Sequence, residues 1–316
     1  MFDLNKIRKE IHENIESKNE IVLAGVQGQL LWLSKTQSNF RNSAICWTLK
    51  AQEGTLEKFR DIYSESKLES DTELVALARN LFENIIWLKL FNEDADYGLV
   101  FYHHLLSEQL KSQQQVIEKN IGEIKLFKEL AEEDKIDFGP YTELMNKTSA
   151  SEEELNQARE YLSNQGARVD EKARNAFSIY GESAKVNGYS YQAHIIETIV
   201  IPEHEKRISV LNAHLEELNN SHSEAELSKL KKLGVSNWNW YAKAQIVKMK
   251  DHYHFLYAFT SRSLHCTAMS TITPKILDDK ERYLLLDYIY ITSSNCYDEI
   301  EKFSYPGKVD LAYVEL

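Results

Sequence analysis

The sequence predicts an all-α fold, a multi-helix bundle with long amphipathic helices, and three observations predict it. Only 4 Pro and 11 Gly occur in 316 residues, well under ordinary usage. Apolar residues recur at spacings of three and four rather than two, the period of a helix face. The breaks between periodic stretches are short and polar, and some open on a helix-starting residue such as Ser70 or Ser151.

Taken in order, helices are expected over 3–17, 21–36 and 41–65, each an apolar series bounded by polar residues. Ser70-Asp71 followed by Glu73 starts the next, over 71–91. Its stretch Leu74 to Phe91 is apolar nearly all round, so it belongs inside the bundle. Leu106, Leu110, Gln113, Ile117, Ile121 and Ile124 mark one face of a long amphipathic helix over 100–134. Residues 135–150, with Phe138-Gly139-Pro140, break the pattern. Ser151 with Glu154 forms a capping box for a helix over 151–164, and 168–180 follows. The stretch 181–189 is a second break. Pro202, Glu203 and Glu205 suit the first turn of a helix over 202–219, whose face is Ile208, Leu211, Leu215 and Leu218. Helices over 223–233, 239–270 and 278–302 complete the chain, and Pro306-Gly307 ends the last one. The plainest organisation is one helical domain over 1–316, with 95–190 as a protruding helical insertion.

Charge and composition exclude several classes. Lys+Arg 37 against Asp+Glu 49 gives a net charge of −12, so no global positive field draws the chain onto nucleic acid or anionic lipid. RNA contact would have to be local. With 43% hydrophobic residues the chain is too apolar for disorder. A mean hydropathy of −0.46 and the lack of any long apolar run exclude a spanning helix. Cys46, Cys266 and Cys296 stand singly, which provides neither a disulfide framework nor a metal knuckle. The N-terminus alternates charged and apolar residues, unlike a signal peptide, and the expected location is cytoplasmic. The long amphipathic helices suit a protein partner or a second copy of the chain.

Two helices stand out as candidate chemistry. Arg79 and Glu83 lie one turn apart on the apolar helix over 71–91, where charge is costly unless paired. Arg before Glu is the weaker order for a helix, so local helix energetics do not explain the pair. The run from His252 to Leu277 contains no Asp or Glu in a chain that has 49. Within it His254, Tyr257, Ser261 and His265 step by 3, 4 and 4, and Arg262 flanks them. That face offers a base, two hydroxyls and a guanidinium.

Other patterns carry less. His103-His104, His252 with His254, and the ten-spaced His194, His204 and His214 lack the helical spacings of a metal site, so no metal and no cofactor are expected. Glycine-rich phosphate loops and a Gly-x-Ser-x-Gly elbow are absent. Ser236 to Tyr241, with Trp238 and Trp240, could stack on bases, but aromatics entering a helix more often anchor it to its bundle.

The segments Leu77 to Glu83 and Phe255 to His265 resemble an uncharacterised bacterial all-helical family. Its marks are an Arg-Ser-Leu-Phe-Glu-like helix and a Tyr-x-x-x-Ser-x-x-x-His helix. Arg79 and Glu83 match the first; Tyr257, Ser261 and His265 match the second. The resemblance implies a helical bundle and no set activity. A looser similarity is to the HEPN ribonucleases of toxin and phage-defence systems, whose metal-free site pairs an Arg and a His on one helix. Here Arg262 and His265 are separated by two residues.

Two functions follow as expectations. One is a toxin- or phage-defence-type protein with a metal-independent endoribonuclease site at Arg79, Glu83, Tyr257, Ser261, Arg262 and His265. The other is a non-catalytic helical interaction module, or a sensor subunit of a larger complex, in which those polar groups only fix helix register.

Overall fold

The computed structural model describes residues 3–64, 68–135, 139–146, 151–264, 277–306 and 308. Every regular element among them is helical. The chain divides into two compact units, Met1–Leu105 with Leu218–Leu316, and Leu106–Glu217. Both boundaries fall inside long helices. The sequence reading placed an insertion at 95–190, whereas the second unit runs from 106 to 217.

The first unit is built on four helices: α1 (Leu4–Thr36), α2 (Ala44–Ser64), α3 (Asp71–Glu93) and, far along the chain, α14 (Asp279–Lys302). α1 packs on α2 and α14, and α3 packs on α14 and α2. Where two helices were expected over 3–17 and 21–36, one continuous α1 is found. No Gly or Pro interrupts residues 17–21, and the polar residue there is satisfied in the core. Buried Asn19 donates to the Leu56 carbonyl at 3.0 Å and accepts from the Tyr297 hydroxyl at 3.3 Å, tying α1, α2 and α14 together.

α4 (Tyr97–Glu133) starts in this unit against α2. A Cβ on Gly98 would lie 2.0 Å from the Ala44 carbonyl oxygen, so only glycine allows this approach. One turn on, Tyr102 stacks on Trp47 with centroids 3.6 Å apart.

The second unit contains the rest of α4, then α5 (Gly139–Asn146), α6 (Glu152–Asn175), α7 (Gly181–Asn187), α8 (Tyr189–Ile195) and α9 (Ile201–Asn220). Phe127, Leu130, Val169, Ala173, Ala184, Tyr189, Ala193 and Ile196 form its core. Four expectations are corrected here. Helix α5 lies within the expected break at 135–150. Helices expected over 151–164 and 168–180 are one, α6, opened by the Ser151 capping box and finished at Asn175. The break expected over 181–189 is mostly helix α7, and the interruption is Gly188 alone, at φ 89°. On α4 the apolar series finds the inner face except at Ile121. Ile121 is 57% exposed, whereas Asn120 and Glu123 are buried. Glu123 can be buried because it accepts from the Ile179 amide at 3.1 Å and the Ser178 hydroxyl and pairs with Lys119 at 2.8 Å.

Pro202 also sits differently. The chain runs helically from Tyr189 through a π segment, Ile196–Val200, into α9. Pro202 is therefore inside a helical path and not at its beginning. Proline lacks the N–H and crowds the carbonyl four residues back. The wider π turn, in which the Ile201 amide donates to the Ile196 carbonyl, provides the room.

Back in the first unit, α10 (Glu224–Leu233) starts at the Ser223 capping box and ends at Gly234, φ 107°. The single helix expected over 239–270 is divided within 239–264, and 265–270 lie outside the described residues. α11 (Trp240–Ile246) is capped by Asn239, and Lys248 takes a left-handed φ of 59°. α12 (Lys250–His252), a π segment Tyr253–Tyr257 and α13 (Ala258–Leu264) then run on as one. α11 and this composite helix cover the side of α3 turned away from the four-helix core, contacting it through α11, the π segment and α13. That is why α3 is apolar nearly all round.

Candidate functional site

The two helices singled out in the sequence meet. α3 begins with Ser70 accepting from the Glu73 amide, and its core face is Leu74, Ala78, Leu81, Phe82, Ile85 and Ile86. The face carrying Arg79 and Glu83 is turned towards the composite helix. The Arg79 guanidinium lies over the Tyr257 ring, 4.4 Å from its centroid. Its Nε also donates to Glu83 Oε1 at 3.3 Å. The carboxylate thus orients the guanidinium along the helix while the phenol ring covers one of its faces.

The pair is partly open to solvent rather than sealed in the core. The Arg79 and Glu83 side chains are 28% and 29% exposed. α3 keeps an open stripe beside them, where Asn80 Oδ1 accepts from Asn84 at 3.1 Å and from Lys58 of α2 at 3.4 Å.

The π segment changes the opposing face. A π turn carries more residues than an α turn, so the three-residue step from His254 to Tyr257 does not place these two side chains on one stripe. Tyr257 faces Arg79 and is stacked by Tyr253, with centroids 4.8 Å apart and planes at 15°. His254 turns towards Tyr241 of α11, at 5.3 Å. Lys250 stands over the other side of that neighbourhood, 5.9 Å from the Tyr241 centroid. Ser261 is one turn further along α13 and half-buried. Arg262 belongs to α13 by its backbone; its side chain and all of His265 lie outside the described residues.

The result is a row of phenols and cations: Arg79, Tyr257, Tyr253, Tyr241 and Lys250, with His254 at its edge. Burial first, and then the neighbouring Tyr257, push the Tyr253 phenol above its usual range, with Arg79 opposing. It stays a neutral hydrogen-bonding group at neutral pH. Lys250 and Tyr253 step by 3 and 4 into Tyr257 but were passed over in favour of His254, and Tyr241 stands on the separate helix α11, so no period in the sequence links it to them. The signal available was density, since the run 252–259 alone contains two Tyr, two Phe and two His.

The aromatic run after α10 packs as expected. Trp238 stacks on Trp87 at 4.1 Å, and Trp240 meets Trp238 edge-on at 5.3 Å. Lys243, buried against this group, donates to the Leu233 carbonyl at 2.5 Å and lies 5.0 Å from the Trp238 ring. It caps the end of α10, and burial holds its ammonium below the usual lysine range.

Among the described residues, no three His, Cys, Asp or Glu side chains come together as metal ligands. No described helix is long and apolar enough to cross a membrane. No family model, curated protein or solved structure matches this chain.

Proposed function

We propose that the protein is a defence- or toxin-type endoribonuclease acting without metal at the junction of α3 and the composite helix. The contact of Arg79 with Tyr257 carries this reading, because it joins the two segments whose residue types suit phosphodiester chemistry. In the proposed reaction a 2′-hydroxyl attacks the adjacent phosphorus while His265 takes its proton. The bond from phosphorus to the 5′-oxygen then breaks, the protonated His265 returns its proton to the leaving oxygen, and a 2′,3′-cyclic phosphate remains. Arg79 and Arg262 offset the charge that develops on the phosphorane, with hydroxyls from Tyr257 and Ser261 alongside. Glu83 is a positioning residue for Arg79.

The test is cleavage of a single-stranded RNA by the purified full chain in EDTA. Cyclic phosphate ends are expected, lost in His265→Ala and reduced in Arg79→Ala while both variants keep their helicity. Absence of cleavage, or undiminished cleavage by folded His265→Ala, overturns the proposal.

One observation favours the second reading, a non-catalytic interaction module. The Arg79 guanidinium is already engaged by both Glu83 and Tyr257, which is what a contact that fixes helix register would need. Under that reading Arg79→Ala lowers stability and leaves no RNA-dependent difference to measure.

A further inference from the structure

A second place in the first unit has the make-up of a ligand pocket and is independent of the ribonuclease reading. A cleft of about 380 Å³ opens between α4, the end of α9, and α10 with the turn after it. Leu218, Leu227, Leu230 and Val235 form its floor. Leu218 and Leu230 are buried, 1% and 4% exposed. Asn219, Lys231 and Ser236 stand exposed on the rim, and His103 of α4 makes one wall.

The main-chain groups around it are already used. The Leu218 carbonyl accepts from His222 Nδ1 at 2.8 Å, and the Val235 and Gly234 amides close on Leu230 and Lys231. The carbonyls of Leu218, Leu230 and Lys231 are thus not open to a polar or cationic guest, and the floor between them is apolar.

The rim carries one sign of charge. No carboxylate lines the cleft, in a chain of net charge −12. Burial, and then the adjacent His104, hold the His103 imidazole below its usual range, which leaves Lys231 as the cation of the lining. Nearby Lys229 is held by Asp94 and Asp96 at 2.8 and 2.6 Å. Lys231 makes no ion pair among the described residues. A lone ammonium, with neither a guanidinium fork nor a helix N-terminus beside it, suits a single-charge anion better than a phosphate. The volume is at the small end of ligand pockets, about 300–1,000 Å³.

We propose that this cleft binds a small amphipathic monocarboxylate, its carboxylate at Lys231 and Ser236 and its short apolar tail on the leucine floor. The experiment is titration of the full chain with octanoate, followed by calorimetry and by tryptophan fluorescence, since Ser236 is two residues from Trp238. Saturable one-site binding is expected. Lys231→Ala, at an exposed position, should weaken it about tenfold, the worth of a hydrogen bond to a charged group. Val235→Trp, checked for helicity, should fill the cleft and abolish binding. Octyltrimethylammonium and octanol, with the same tail, should bind far more weakly. The proposal is overturned if octanoate does not bind saturably, if Lys231→Ala binds it equally well, or if the cationic or neutral analogue matches it.

Discussion

The Arg79 guanidinium lies 4.4 Å from the centre of the Tyr257 ring, and this contact fastens the composite helix to the outer side of α3. Both residues are partly exposed, so the attraction works against competing water. A double-mutant cycle on Arg79→Ala and Tyr257→Leu should return a coupling of about 0.5–1 kcal/mol in urea unfolding. Additive effects would mean that the two side chains do not interact in solution.

Partial exposure also sets what Glu83 contributes. If the pair were sealed in the core, removing one charge would cost about 3–5 kcal/mol. At 28% and 29% exposure, Glu83→Ala should cost only about 0.2–1 kcal/mol. Glu299 provides the contrast. Its side chain is 12% exposed, and it accepts from Lys89 at 2.9 Å and from Asn92 at 2.7 Å. Glu299→Ala should cost about 1–3 kcal/mol, and calorimetric melting of both variants decides the order. A larger loss from Glu83→Ala would place that pair in the core after all.

Acid should destabilise the protein through Glu123 and Glu299. Burial pushes both carboxyls up. The donors around them outweigh it, Lys119, Ser178 and the Ile179 amide for Glu123, Lys89 and Asn92 for Glu299, and hold both below the ordinary value of 4.5. A carboxyl depressed in the folded state contributes stability that is present above about pH 4.5 and is lost as pH falls below it. Urea midpoints should therefore drop below about pH 4.5, and Glu299→Gln should flatten the drop. An unchanged slope in that variant would remove Glu299 from the explanation.

Pro202 should be a net cost that the π segment only partly relieves. In a helix interior proline is about 3 kcal/mol less favourable than alanine, so Pro202→Ala should stabilise by about 1–3 kcal/mol. The change should register as a higher melting temperature. A lower one would show that proline holds the π turn in a shape the second unit requires.

By itself the sequence determined the helical class and most helix starts. Ser70, Ser151, Ser223 and Asp278 all cap helices where they stand, because a cap is a short-range bond between a side chain and an amide three residues on. The apolar girth of α3 likewise announced an interior helix, and the aromatic run at Trp238 its own packing. Helix ends were less legible. Continuous α1 and α6, and the divided 239–270 stretch, depend on whether a local weakness is bridged by tertiary bonds such as those of Asn19.

The site divides in the same way. Arg79 and Tyr257 could be picked out as residue types, but their contact, the exposure of the Arg79–Glu83 pair and the recruitment of Tyr253 and Tyr241 were settled only by folding. Tyr241 reaches Tyr253 from a separate helix, and whether a charge is buried depends on which distant helix covers it. Neither is a property of neighbouring residues along the chain.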